Sequence, residues 1–222
     1  MAQEIDYAAR VVKITKPVLT SFMNLDEPKR VSKSPKEEPK YSASFEIEPD
    51  SADLTAIKNK IVAVAQAQWP GKNIGELINS GALITPLHSG DAEAEKAIGK
   101  GKKREWSRGL KILNARTQKA PNVGIIRDGQ ILENLSAEQI KALKKDYFYT
   151  GVKCFGQVSM VAYEAVGDGG KPGVTAYLDI ILSTGKGEKL ISGGPSATEA
   201  FSGYIGLESD EDPTAGASTS AW

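Results

Sequence analysis

The chain has 222 residues, 40% apolar and 25% charged, an ordinary composition for a globular protein of one or two domains. Its 28 Lys and Arg balance 28 Asp and Glu, so the net charge is zero. A single cysteine, Cys154, excludes a disulfide framework and any multi-cysteine metal cluster, and a single histidine, His88, excludes a site with two His ligands. No apolar run approaches the roughly 18 residues that cross a bilayer. Met1 to Asp6 has neither a basic n-region nor an apolar h-region, so no secretory signal is expected and the predicted location is the cytoplasm.

Residues 10–22 are rich in β-branched side chains and predict a strand, with Pro17 at an edge or bulge. Residues 24–39 carry Pro28, Pro35 and Pro39 among mixed charges and read as a loop. Residues 41–48 alternate, with Tyr41, Ala43, Phe45 and Ile47 on one face and Ser42, Ser44, Glu46 and Glu48 on the other, which predicts a half-buried strand. Asp50 is the expected N-cap of a helix carrying Leu54, Ile57, Ile61 and Val64 at helical spacing, and Trp69-Pro70-Gly71 stops it. Residues 71–109 have weak periodicity and read as a long, partly irregular insertion.

Residues 110–115 predict another strand, and Ser136-Ala-Glu-Gln139 is a capping-box pattern opening a short helix over 137–145. Residues 147–166 and 174–183 predict a long hairpin around the turn cluster Gly167 to Pro172. In the second arm Val174, Ala176, Leu178, Ile180 and Leu182 share a face. Residues 206–222 cannot bury enough apolar surface to fold alone. The expected organisation is a folded domain over 1–205 and a disordered acidic tail over 206–222. The class is β-rich α+β, with one long helix, a long insertion and a small Greek-key barrel as the natural closed form for about five strands.

The neutral total hides a polarity. Residues 96–119 hold nine Lys and Arg against Glu105 alone, while every charged residue after Lys189 is acidic. That asymmetry suggests a polyanion site and an acidic end, or else a solvated loop beside a solubilising tail. Catalytic readings are thin. No P-loop spacing occurs, and the glycines at 167–173 lie between two strands rather than between a strand and a helix. Asp210-Glu211-Asp212 reads as an interaction segment rather than an ion site, and no cofactor or metal is expected. No nucleophile or carboxylate stands at motif spacing from His88, so it reads as an incidental polar residue.

Cys154 shares a strand face with Val152, Val158 and Met160 and reads as a small core residue. The opposite face holds Tyr147, Tyr149, Lys153, Phe155 and Tyr163. Exposed aromatics interleaved with cations suit single-stranded nucleic acid, since every base has a π-face and every phosphate needs a cation. Trp106 within Lys102-Lys103-Arg104-Glu105-Trp106-Ser107-Arg108 repeats the combination. If both sheet faces are covered, these rings are instead a second core.

Several collinear stretches carry a family resemblance. They are Ile14 to Pro28, Lys40 to Pro49 with the helix after it, Leu110 to Ala115, Tyr149 to Cys154, and Gly173 to Ile180. Together the chain resembles the bacteriophage single-stranded DNA-binding proteins built on an OB-fold. The resemblance implies a five-stranded OB barrel, no catalysis, and coating of single-stranded DNA during phage replication or recombination in the host cytoplasm, as a monomer or homodimer. The expected DNA-binding residues are Lys40, Lys102, Lys103, Arg104, Trp106, Arg108, Lys111, Arg116, Tyr147, Tyr149, Lys153 and Phe155. The tail, with Asp210, Glu211, Asp212 and the terminal Trp222, looks like the tails by which such proteins contact replication or recombination enzymes. The competing class is a phage structural or adaptor protein with a β-barrel or sandwich and no DNA-binding role.

Overall fold

The computed structural model describes residues 6–30, 38–165, 167 and 169–190. Its strands are β1 (Val11–Lys29), β2 (Lys40–Ile47), β3 (Leu87–Ser89), β4 (Lys111–Thr117), β5 (Asn122–Arg127), β6 (Gln130–Leu132), β7 (Val152–Tyr163) and β8 (Gly173–Gly187). Its helices are α1 (Tyr7–Arg10), α2 (Ala52–Gln68), α3 (Ile74–Asn79), α4 (Gly90–Ile98) and α5 (Ala137–Tyr147), with a 3-10 turn at Glu105–Ser107. No helix among the described residues is long and apolar enough to cross a membrane.

Five strands close on themselves. β1 pairs antiparallel with β2 and β7, β2 with β4, and β7 with β8. A parallel contact between β4 and β8 at Ala115–Ala176 completes the ring. This is the OB connectivity, so the expected five-stranded Greek-key barrel is the fold. β3 extends the sheet beyond β4, and the β5–β6 hairpin extends it beyond β8.

Bulges let so long a strand as β1 curl around the barrel. Pro17 falls in the first, between Ile14 and Val18, where its missing N–H costs no ladder bond. The neighbouring N–H groups of Thr15 and Lys16, together with the Thr15 hydroxyl, donate to the Asp53 carboxylate at 3.0, 3.1 and 2.7 Å. The second bulge sets Phe22 and Met23 against Ala43 and gives Phe22 a φ of 51°. Strand β1 therefore continues through residues 24–29, which the prolines had marked as loop, whereas residues 31–37 lie outside the described part.

Inside the barrel Phe45, Ile14, Leu113, Met160, Leu178 and Ile181 are fully buried. Helix α2 adds Leu54, Ile57, Ile61 and Val64 to the same core. Each such aliphatic side chain contributes roughly 1.5–3 kcal/mol by leaving water. The α2 cap is Ser51, whose hydroxyl accepts from the Leu54 N–H at 3.2 Å, rather than Asp50. The capping box at Ser136 and Gln139 is formed, and α5 runs to Tyr147.

Three other expectations change. The insertion is more regular than its periodicity implies, holding α3, β3, α4 and the 3-10 turn. Strand β7 starts at Val152, because α5 continues through Tyr147 and Phe148 closes it with an N–H bond to Lys144. In β8, Gln157 pairs with Ile180 but Val158 with Leu178, so Asp179 is an extra residue and the alternation reverses. Ile181 and Ser183 then point inward and Ile180 outward, against the expected single face.

Candidate nucleic-acid interface

Strand parity decides which side chains leave the barrel. With Ala43, Phe45 and Ile47 inward on β2, Ser42, Ser44 and Glu46 point outward. Their partners across the sheet are Arg116, Asn114 and Ile112 on β4, and Asn24, Ser21 and Leu19 on β1. These side chains bond to one another: Asn24 Nδ2 donates to Ser42 Oγ at 2.9 Å, Ser44 Oγ to Asn114 Oδ1 at 2.7 Å, and Ser21 Oγ to Glu46 Oε1 at 2.8 Å. The expected half-buried β2 is thus enclosed on both sides, since neighbouring polar groups cover its outer positions. Ser42 and Glu46 are four residues apart, about 13 Å at a rise of 3.3 Å per residue.

Aromatic and cationic groups stand around this polar face. In the second β1 bulge Phe22 is 44% exposed. The Arg104 guanidinium carbon lies 4.7 Å from its ring centroid. Toward the other end of β2 and β4, Lys40, Arg116, Lys119, Thr117, Gln118 and Tyr177 line a cleft of about 380 Å³. Tyr177, on β8, is 46% exposed. Three cations and an open ring there match the needs of phosphates and an unstacked base.

The structure brings Lys40 and Arg116 together and separates several other expected residues from them. Lys102 and Lys103 are exposed on the segment leading into the 3-10 turn. Arg104 is largely buried and ion-paired within the fold. Trp106 is half-buried, and its Nε1 is enclosed with no hydrogen-bond partner among the described residues. Arg108 is exposed, 3.9 Å from Glu95. Lys111 has the opposite parity to Arg116 and lines a different cleft, with Lys58, Ile61, His88 and Ser89.

The proposed aromatic strand face is corrected. Tyr147 ends α5 and Tyr149 lies in the following turn, so neither belongs to β7. Both pack against the core, and the Tyr149 hydroxyl donates to the Gly187 carbonyl at 3.0 Å. Lys153 and Phe155 do leave the barrel on β7, but into separate clefts. Phe155 lines a cleft of about 420 Å³ with Ile126, Ile131, Ile180 and Leu182, away from the cations of β2 and β4. The tail residues Asp210, Glu211, Asp212 and Trp222, and the boundary at 205, lie outside the described residues.

Phe22, Lys119 and Tyr177 are the additions. Tyr177 could have been read from the alternation of 174–178, which puts it opposite Val174, Ala176 and Leu178. Phe22 had no such signal, because only pairing with β2 creates its bulge. Cys154 is buried as expected, and burial pushes its thiol up to about 11, so it is inert at neutral pH.

No family model matches the chain, and no curated protein matches it. Among solved structures it is similar to the single-stranded DNA-binding protein from bacteriophage Enc34, with 18% identity and a TM-score of 0.58, covering 90% of this chain and 97% of that one. A C-terminal truncation of that protein gives 17% identity and a TM-score of 0.59 over 85% and 95% of the two chains. The same phage protein in complex with single-stranded DNA gives 18% and 0.57 over 86% and 97%. At these identities the likeness is one of fold, and it runs nearly the full length of the phage protein. The chain carries the barrel fold of these phage single-stranded DNA-binding proteins.

Proposed function

We propose that the chain binds single-stranded DNA without catalysis and with little regard to sequence, across the outer face of β1, β2 and β4. The observation that carries this reading is the arrangement of that face: a hydrogen-bonded polar sheet surface flanked by the exposed rings of Phe22 and Tyr177, with Lys40, Arg116 and Lys119 beside the second ring. OB barrels take oligonucleotides on this same pair of central strands. Rings stack on bases of any identity, at about 1–3 kcal/mol per base, and cations neutralise phosphates. A duplex offers no unstacked base to either ring, so it should bind more weakly. Lys102 and Lys103 extend the cationic border. The biological setting is phage DNA replication or recombination, with Asp210, Glu211, Asp212 and Trp222 contacting a partner enzyme.

Titration of a fluorescent oligo(dT) and of a matched duplex tests the reading. Tight, salt-sensitive binding to oligo(dT) with much weaker binding to duplex is expected. The logarithm of affinity should fall against log salt by about 0.7 for each phosphate neutralised. Absence of an oligo(dT) complex at low salt would sink it and favour a structural or adaptor role.

A further inference from the structure

Arg104 sits in the most basic stretch of the chain, yet each of its three guanidinium nitrogens already has a partner within the fold. Nε donates to Ser107 Oγ at 3.1 Å. One terminal nitrogen lies 3.4 Å from Glu46 Oε1 and the other 3.6 Å from Glu93 Oε2. Its side chain is only 12% exposed, and the Glu46 side chain is wholly buried. Its central carbon stands over the Phe22 ring, 4.7 Å from the centroid. Glu46 Oε2 has no hydrogen-bond partner among the described residues, so the carboxylate depends on Arg104 and Ser21 for its pairing.

Phe22 is unusual for the complementary reason. A bulky side chain at a φ of 51° occupies a backbone region that favours glycine. The strained bulge turns the ring out of the barrel beside the polar face, where 44% of the residue stays exposed. A ring held there with no contact would be free to swing. The cation above it is itself clamped by two carboxylates, from β2 and α4, and by the 3-10 turn.

We infer that Arg104 is a positioning residue: clamped by Glu46, Glu93 and Ser107, it holds Phe22 as a preorganised platform for one base, and it does not contact phosphate itself. This rests on the single-stranded DNA reading and adds to it a division of labour between the cations. Lys40, Arg116 and Lys119 act on phosphates, whereas Arg104 acts on a base through Phe22. A guanidinium suits the task and an ammonium does not, because a planar cation can lie against a ring while its edge nitrogens meet carboxylates.

The test uses the full chain and oligo(dT) over a salt series. Binding by the unmodified protein is read first; its absence would be a failure of the DNA reading and not of this inference. Given binding, Phe22→Ala should weaken it about tenfold or more, and Arg104→Ala should weaken it by a smaller but clear factor. The salt slope should be unchanged in both. The double variant should bind no worse than Phe22→Ala alone, since Arg104 has nothing to hold once the ring is gone. Arg104→Lys keeps a cation between the two carboxylates, and so protects the fold, but loses the planar contact; it should bind as Arg104→Ala does. Ultraviolet cross-linking of oligo(dT) to Phe22 should drop in parallel. A slope lowered by about 0.7 in Arg104→Ala, full affinity in Arg104→Lys, or losses that multiply in the double variant would each overturn the assignment and make Arg104 a phosphate contact.

Discussion

The barrel has two unlike outer surfaces. On β1, β2 and β4 the side chains directed away from the core are Ser21, Asn24, Ser42, Ser44, Asn114 and Arg116; most of them bond to one another across the sheet, and Ser21, Ser42 and Ser44 are buried by their neighbours. On the side formed by β5 to β8 they are Ile126, Ile131, Phe155, Ile180 and Leu182. Both sets come from the same two-residue alternation over one shared core. The difference lies in what each can do for a polyanion. The polar side has cations and rings around a surface whose serine and asparagine side chains already bond to one another, so a strand can settle on it without stranding those groups. On the apolar side a desolvated phosphate would have little but Lys13 to meet. Under the proposed reading aromatic content alone does not mark the interface: Phe155 lies among apolar side chains, whereas Phe22 has the Arg104 guanidinium over its ring and Tyr177 has Lys40, Arg116 and Lys119 beside it.

The sharpest way to break this comparison is to neutralise the basic cleft. Replacing Lys40, Arg116 and Lys119 together with Ala should lower the salt slope by roughly 2, at about 0.7 for each phosphate contact. Replacing Ile131 and Leu182 with Ser should leave both slope and affinity for oligo(dT) unchanged. Equal losses on the two sides, in the same salt titration, would erase the distinction.

Phe22→Gly separates binding from folding on the polar side. Relief of the positive φ, worth about 1 kcal/mol, should roughly offset the greater chain entropy of glycine. Denaturant unfolding should then move by less than about 1 kcal/mol, while DNA affinity falls by about 1–3 kcal/mol. Tyr149→Phe should do the reverse. It removes the bond to the Gly187 carbonyl and should cost about 1 kcal/mol of stability, with DNA affinity unchanged.

The smallest effect is a pH dependence. Burial lowers the pKa of His88 below the usual 6.5; Glu93 opposes this, and Arg116, Lys96 and Arg104 add to it. The folded state therefore holds its proton less tightly than the unfolded chain. Stability from this group is complete above about pH 6.5 and declines as pH falls below it, levelling off once pH passes under the folded pKa. His88→Gln should flatten that segment of the stability profile measured by urea unfolding between pH 7.5 and 5.

Much of the fold was legible locally. The alternation of 41–48, the helical spacing of Leu54 to Val64, the box at Ser136 and Gln139, and the position of Pro17 each rest on contacts within a few residues. The β5–β6 hairpin was not among the expected strands, although Asp128-Gly129 between apolar pairs, with positive φ at both positions, is a signal for it. The site was legible only in part. Lys40 and Arg116 lie where a strand face and a basic stretch point to them, but Tyr147 and Tyr149 fall on α5 and the turn after it rather than on the strand that carries Phe155. The run from Tyr147 to Tyr163 reads as one extended segment, because aromatic and β-branched residues suit a strand; the helix claims Tyr147 through its capped, amphipathic start eleven residues earlier.

By itself, then, the amino-acid sequence determined the secondary structure that short-range periodicity and caps encode, the β-rich class, the buried face of Cys154, and the concentration of positive charge in 96–119. The tertiary structure decided what that charge does. Arg104 meets Glu46 across 58 residues of chain, and the bulges at Phe22 and Asp179 exist only because a partner strand is one residue shorter there. A bulge reverses every side chain beyond it, and an ion pair converts an exposed cation into an internal strut. Neither depends on local sequence spacing, so only the folded sheet settles which rings and cations face outward together.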